Sequence, residues 1–590
     1  MNSSMESKKH IYQYRLPHFI KDSSKLTRLW HKHFHYFFLI IPAVFYFITA
    51  CKTPGWVDAT LIVSNVVNLT LGSWVNYHNL FHILGYGWLW MFPSTNIHYY
   101  LVLLSALFGT LTVYIMFRVG MELTSSKLVS AIGALILMMS HSLWWHSTML
   151  EVYTLNAALI AAILLFIVRY NKNKKIINLY FAAFFFGLGC SNHVLIGLFI
   201  FAFLFLIGAM IYKRKTLTLK KMLILTFCFL LGFQLYLYVF ILDYRRNVRW
   251  LQSGESTSEV RLQALKITIH YATGGGFKKY MFPKDISPDE KRFWRLNYLI
   301  LILLNYPSGA FFLCLFGFYC FWKKKGYRLT FIFILFSLIA QIIWSGNYFI
   351  WDMYAFALPV YVILSIPIIM SIDFLFHKGK AARIILLCLL PTFIAPPFIY
   401  SRVAEGGKKQ GIVKSYFKNY PEWDWALNTW EVVEYIVNPN KRDYTKVPEY
   451  AEKIFEILPQ GAHFWNSVGR ADYPLRLYYQ DIYKIRTDIN HHSLFSPLMT
   501  PEQAKTEAVN MKMYIQSGMP VYIASHSYPE RAVLDELYVL LDPAKSLNQV
   551  SSLSIEELIN SFPDIKIEKI TLFEQEQIWI YQILKKNEIQ

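Results

Sequence analysis

The sequence predicts an α-helical polytopic membrane protein of about eleven transmembrane helices, followed by a soluble α/β domain. Three observations predict it. Of 590 residues, 55% are hydrophobic, 17% aromatic and only 16% charged, whereas a soluble chain carries about a quarter charged residues. Apolar stretches long enough to cross a bilayer, near 20 residues each, recur up to residue 400 and then stop. Between them lie four short basic runs: Lys172–Lys175, Lys213–Lys215 with Lys220 and Lys221, Lys323–Lys325, and Lys378 with Lys380 and Arg383.

Cytoplasmic loops are where Lys and Arg accumulate, so the four runs orient the chain. Eleven crossings are expected near 35–51, 99–117, 128–143, 153–170, 176–191, 194–212, 222–242, 297–321, 329–346, 353–375 and 384–400. With the N-terminus inside, each basic run falls on a cytoplasmic connection and the C-terminus lies outside. Residues 1–34 read as a cytoplasmic tail, too long and polar for a cleavable signal. Residues 35–400 form the membrane domain, with outer loops 52–98 and 243–296, and 401–590 the extracytoplasmic domain. This reading makes the chain a multi-pass protein of the cell (inner) membrane.

The formal charge of +20 belongs to orientation and anionic headgroups rather than to nucleic acid, because it sits in short loops and the tail. The six cysteines, Cys51, Cys190, Cys228, Cys314, Cys320 and Cys388, show no metal-ligand spacing, and none lies in the exported part. Loop 52–98 carries four tryptophans and apolar pieces too short to span, which suggests helices lying on the membrane. After residue 400, strand-like segments at 462–465, 521–524 and 578–581 alternate with helix-like runs at 447–457, 529–541 and 554–561.

The polar residues of interest collect in the outer segments. Asp58 follows the first span and has no basic residue after it until Arg118. It is either a solvated cap or a group held ready for chemistry. Glu151 opens the fourth span, where a helix N-terminus stabilises a carboxylate but burial at a membrane edge asks for a partner. His141, His146 and Glu151 are spaced by five, so they do not stack on one helix face and make a poor metal site. Arg245, Arg246 and Arg249 beside Trp250 run against the positive-inside rule. A long loop escapes that rule in part, and guanidinium also binds phosphate through two parallel bonds. Asp352 lies in another short outer loop, and Asn192-His193 reads as a hydrogen-bonded pair at a turn.

Several segments then resemble a known family. They are Glu151-Val152-Tyr153-Thr154-Leu155-Asn156 preceded by Trp144, Gly189-Cys190-Ser191-Asn192-His193, Val248-Arg249-Trp250 followed by His270-Tyr271-Ala272-Thr273-Gly274-Gly275, and Asn347-Tyr348 with Asp352 and Phe356. In order and over most of residues 50–370, they are similar to a bacterial multi-pass group related to the plexin-receptor protein O-mannosyltransferase. That group belongs to the C-type (GT-C) glycosyltransferases. The resemblance implies transfer of a mannose-like hexose from a polyprenyl-phosphate carrier to a protein or glycan hydroxyl on the outer face. It implies Asp58 as general base with Glu151 supporting it, and Arg245, Arg246 and Arg249 on the donor phosphate. His78, His146, Tyr153, Asn192, His193, Trp250 and Asp352 would support them.

No cofactor beyond the lipid-linked donor is implied, and metal dependence stays open. The chain departs from the family at Trp74–Asn79 and lacks a second acid just after Asp58. Two rivals remain: a lipid-linked sugar transporter, disfavoured by the absence of an internal repeat and the scarcity of mid-span charges, and an inactive relative with a binding role.

Overall fold

In the computed structural model of the chain, the described residues are 34–56, 58–74, 77–212, 217–251, 257–350, 353–410, 432–467, 473–494, 499–524, 528–573 and 578–586. Asp352, the basic run 213–215 and the tail 1–33 lie outside them.

Among the described residues, six helices are long and apolar enough to cross a membrane: Ile97–Thr124, Tyr153–Asn173, Val194–Tyr212, Leu219–Leu251, Arg328–Ser345 and Leu358–Lys378. Three bent pairs raise the number to nine: Lys127–Met138 with His141–Thr148, Pro288–Asn305 with Ala310–Lys323, and Lys380–Ile394 with Pro396–Gly406. The two other predicted crossings fall on shorter apolar helices, Phe34–Thr49 and Ile177–Cys190. The predicted single crossing at 297–321 is corrected to two helices meeting at 94°. Its break holds Pro307-Ser308-Gly309, and proline both removes a backbone donor and clashes with the preceding turn.

Tyr153–Asn173 is the innermost span, with 89% of its apolar window buried, against 11% for Leu219–Leu251. The latter turns Leu219, Leu223, Phe227, Leu230 and Leu231 outward, as a helix in contact with lipid does. It approaches Ile177–Cys190 so closely that a Cβ on Gly187 would fall 2.1 Å from the Phe229 carbonyl oxygen, and one on Gly232 2.2 Å from that of Phe184. Small residues of this kind let membrane helices pack backbone to backbone.

The two polar ends are far apart. At one end Glu122 accepts from Arg169 (3.1 Å) and Lys172 (2.9 Å), Lys324 pairs with Asp373 (3.1 Å), and Asn171 donates to the Gly326 carbonyl (2.7 Å). These bonds gather two of the basic runs, through Lys172 and Lys324. At the other end Tyr483 of the C-terminal domain donates to the Thr95 carbonyl (2.7 Å), just before helix Ile97–Thr124. That helix has 28 residues, so the ends lie about 40 Å apart, more than the roughly 30 Å of a hydrocarbon core.

The C-terminal domain is built on a five-stranded mixed sheet in the order β2-β1-β3-β5-β4: β1 His463–Ser467, β2 Asn490–Leu494, β3 Val521–Ala524, β4 Ile565–Phe573 and β5 Ile578–Lys585. Strand β1 is parallel to β2 and β3, and β5 is antiparallel to β3 and β4. Helices Lys446–Ile457, Tyr528–Leu541 and Ile555–Ser561 agree with the sequence reading, while β2 and β4 are additions to it. One sheet face packs its own helices through Trp465, Val521, Ile523 and Ile583. Phe464 on the other face joins the core that continues into the membrane domain.

Candidate active site

Asp58 begins the helix Asp58–Val67, whose Ala59, Ile62, Val63 and Val66 are buried. This helix is not spread on a membrane surface, as the sequence suggested, but packs against Tyr473–Ile482 of the C-terminal domain. The later helix of the same loop, Asn79–Met91, does expose Ile83, Leu84, Trp90 and Met91.

The Asp58 side chain is reached by solvent, yet protein is packed on all sides of it. Both hold for a carboxylate on the wall of a recess. That enclosure lifts its pKa to about 6. Among the described residues it makes no ion pair, and burial alone accounts for the shift. A base with a pKa near the working pH is what proton transfer favours.

Glu151 stands in the loop before Tyr153–Asn173, and its backbone is fixed to Ser105, whose hydroxyl donates to the Glu151 carbonyl (2.9 Å). Both carboxylates act electrostatically on Tyr435, raising its pKa together with burial, which is the larger cause. The structure thus brings Asp58 and Glu151 to one place, beside a tyrosine that sequence reasoning missed. Its local sequence, Val432-Val433-Glu434-Tyr435-Ile436-Val437, is apolar and carries no signal of a site.

From Tyr435 a row of rings leads inward. Centroids step from Tyr435 to Trp145 (5.5 Å), His146 (5.0 Å), Tyr153 (5.3 Å), His193 (5.3 Å) and His78 (5.1 Å). Four of the predicted supporting residues therefore share one seam, closed by Tyr354 and Phe356. His78 faces His193 and His82, and its pKa is held well below the ordinary value, chiefly by burial and then by those neighbours. It is neutral at physiological pH, suited to hydrogen bonding rather than to holding charge.

Asn192 is the hub beside this row. Its side chain accepts from the Phe81 amide (3.1 Å) and donates to Asn156 (2.7 Å), while its carbonyl meets His78 Nδ1 (3.1 Å). Replacing Asn192 by Ala keeps the backbone bond to His78 but leaves the buried Phe81 amide and the Asn156 side chain, on two helices, without these partners, at about 1–3 kcal/mol per group. The expected result is a drop in unfolding midpoint by chemical denaturation, with parallel loss of any activity that depends on the seam.

The arginines are placed differently from the expectation. Arg245, Arg246, Arg249 and Trp250 lie not in a loop but on the last turns of helix Leu219–Leu251, which continues past the predicted boundary at 242. Nothing in Leu242-Asp243-Tyr244-Arg245-Arg246-Asn247-Val248-Arg249-Trp250 breaks a helix, so the end of the apolar stretch is not the end of the element. Arg246 donates to Asp243 (2.9 Å) and to the Leu71 carbonyl (2.9 Å), and Asp243 in turn accepts from the Ser73 hydroxyl (2.9 Å). Leu71 follows the C-terminal end of Asp58–Val67, and Asp58 begins it. The ten residues of that helix place about 15 Å between them. The structure does not set the arginines alongside the carboxylates. Arg245, Arg249 and Trp250 are exposed and open to a ligand at the membrane edge.

Among the described residues, no group of three or more His, Cys, Asp or Glu side chains is arranged to hold a metal ion. A separate cleft of about 290 Å³ lies wholly within the C-terminal domain, lined by Lys512, Asp564, Lys585 and Lys586 among others.

Comparisons with known proteins agree with this architecture. Residues 78–218 match the family described as the protein O-mannosyl-transferase TMEM260 N-terminal domain. The mouse (Mus musculus) protein O-mannosyl-transferase TMEM260 is 26% identical over 226 residues, which are 37% of this chain and 32% of that protein. The match thus spans about a third of the curated relative. Over 93% of this chain and 98% of the other, the fold is similar to that of ArnT from Cupriavidus metallidurans, solved bound to undecaprenyl phosphate (TM-score 0.56, 10% identity). The chain has an ArnT-like fold and resembles the TMEM260 O-mannosyl-transferases in sequence over part of its length.

Proposed function

We propose that the protein is a membrane glycosyltransferase that moves a mannose-like hexose from a polyprenyl-phosphate carrier to a hydroxyl of a protein or glycan. The observation that carries this reading is Asp58: a carboxylate in a recess, without an ion pair among the described residues, beside Glu151 and under the C-terminal domain. A GT-C fold and a lipid-linked donor also account for an enzyme embedded in a bilayer.

In this reading the acceptor O–H loses its proton to Asp58 as its oxygen bonds to the anomeric carbon of the donor. The bond from that carbon to the phosphate oxygen breaks, and the lipid phosphate leaves with the electron pair. General-base help of this kind contributes about 10²–10⁴-fold. Fixed positive charge stabilises the departing phosphate, and the exposed Arg245 and Arg249 make no ion pair among the described residues and can supply it. Glu151 orients the acceptor or Asp58. The face that carries these groups is the extracytoplasmic one, with the N-terminus in the cytoplasm.

The rival transporter reading places ligand groups near the middle of the membrane, and the site described here lies at one end. The test is reconstitution in vesicles with polyprenyl-phosphate mannose and a threonine-containing peptide or a glycan. Mannosylated product is expected, and movement of intact lipid-linked sugar without product would favour the transporter. Acid dependence follows from Asp58. The base acts only when ionised, so kcat/KM is expected to fall about tenfold per pH unit below about 6, and a profile flat down to pH 4 would remove Asp58 from that role.

A further inference from the structure

The segment 434–444 is a strap that ties the C-terminal domain across the two loops bearing the carboxylates. On the Glu151 side, Trp145 donates its indole N–H to the Tyr435 carbonyl (2.7 Å), His141 Nε2 to that of Ile436 (2.7 Å) and Thr148 to that of Pro439 (2.7 Å). On the Asp58 side, the Lys441 amide donates to the Thr49 carbonyl (3.0 Å), Thr53 to the Tyr444 carbonyl (2.6 Å), and the Trp56 indole to the Tyr444 hydroxyl (2.8 Å). Lys441 is 1% exposed. Its ammonium bonds the carbonyls of Glu434 and Tyr435 and sits among the rings of Trp145, Tyr435 and Tyr444. A lysine caged in this way locks the strap's shape, since each of its carbonyl partners loses a buried hydrogen bond without it.

This lacing fixes Tyr435 between the two loops. Its ring is packed against Trp145 and Tyr444 (5.3 Å between centroids). Its hydroxyl, by contrast, makes no hydrogen bond among the described residues, and it is not among the sealed, unsatisfied polar atoms of the core. A buried tyrosine ordinarily finds a partner for its O–H. Here the ring is held, and the hydroxyl is left without a hydrogen-bond partner among the described residues, within electrostatic reach of Glu151 and Asp58.

We infer that Tyr435 is a third ligand of the transfer site, contributed by the C-terminal domain, whose hydroxyl hydrogen-bonds the incoming acceptor hydroxyl while Asp58 takes its proton. This rests on the proposed transferase reading and deepens it. The polar group that selects a hydroxylated acceptor is then carried by the strap rather than by the membrane helices. Lys441 acts on it only through the strap, as a positioning residue.

Two measurements test it. Tyr435→Phe removes one oxygen and keeps the ring contacts, so folding and the affinity for polyprenyl phosphate should match the parent. KM for the peptide acceptor should rise about tenfold with kcat little changed, the signature of lost substrate binding. An unchanged KM overturns the inference. Independently of turnover, Tyr435→Cys in full-length protein with the other cysteines replaced should react with a small charged thiosulfonate. Polyprenyl-phosphate mannose should slow that reaction. A thiol that does not react, or that reacts equally fast with the donor present, also overturns it. The two failures separate cleanly: a parent protein that transfers no sugar refutes the proposed function, whereas transfer by the parent with a normal Tyr435→Phe refutes only the role of Tyr435.

Discussion

An Asp58→Asn variant is expected to fold, to bind the polyprenyl-phosphate donor like the parent, and to lose sugar transfer by about 10²-fold or more. Asparagine keeps the shape and the hydrogen-bonding reach of the side chain but cannot accept the proton. The large effect is expected because no other described carboxylate combines the same recess with the absence of an ion pair. The comparison with Glu151→Gln sharpens it. Glu151 reaches Tyr435 from the other loop, so its loss should disturb orientation and cost less than the loss of the base. Near-parental transfer by purified Asp58→Asn would move the base elsewhere, with Glu151 the first candidate.

The second large effect is expected at Arg246. Its guanidinium joins helix Leu219–Leu251 to the turn after Asp58–Val67 through Asp243 and the Leu71 carbonyl. Hydrogen bonds to charged groups contribute roughly 1.5–3 kcal/mol, which corresponds to about 10–150-fold in an equilibrium constant. Arg246 is half exposed, which places its effect at the lower end of that range. Loss of these internal bonds in Arg246→Ala should lower the unfolding midpoint, and if Arg246 also meets the phosphate, Arg246→Ala should weaken donor binding more than Arg246→Lys, since lysine keeps the charge but not the fork. Donor titration by calorimetry reads this directly. A variant that is destabilised but binds donor normally would make Arg246 a brace alone, leaving Arg245 and Arg249 as the phosphate ligands.

The membrane architecture was legible because its cause is local. An apolar stretch of about 20 residues can satisfy its backbone in lipid only as a helix, and the basic runs mark which ends belong together. All eleven predicted crossings fall on helices or bent helix pairs. Even so, the break at Pro307 was read as one continuous span. The C-terminal segments at 463–467, 521–524 and 578–585 were legible from alternation. Strand Asn490–Leu494, with its His491-His492-Ser493, was not, because it is made by pairing with β1 rather than by its own propensity.

The site was half legible. Asp58, Glu151, His78, Tyr153 and His193 carry polar or aromatic groups where an apolar chain meets water, and that exception is visible in one dimension. Their partner Tyr435 is not. It is separated from Glu151 by nearly half the chain and joins it only through the strap. The arginines stood out by sequence, but their distance from Asp58 is set by the length of an intervening helix. Asp352 lies outside the described residues and stays an expectation.

The central claim is that Asp58 and Glu151 face the reacting carbon of a lipid-linked sugar. A density map of the protein in lipid nanodiscs with polyprenyl-phosphate mannose bound tests it most directly. The anomeric carbon is expected in the recess bounded by Asp58, Glu151 and Tyr435, with the phosphate toward Arg245 and Arg249. A sugar seated in the cleft of the C-terminal domain, or midway along the membrane helices, would contradict the account.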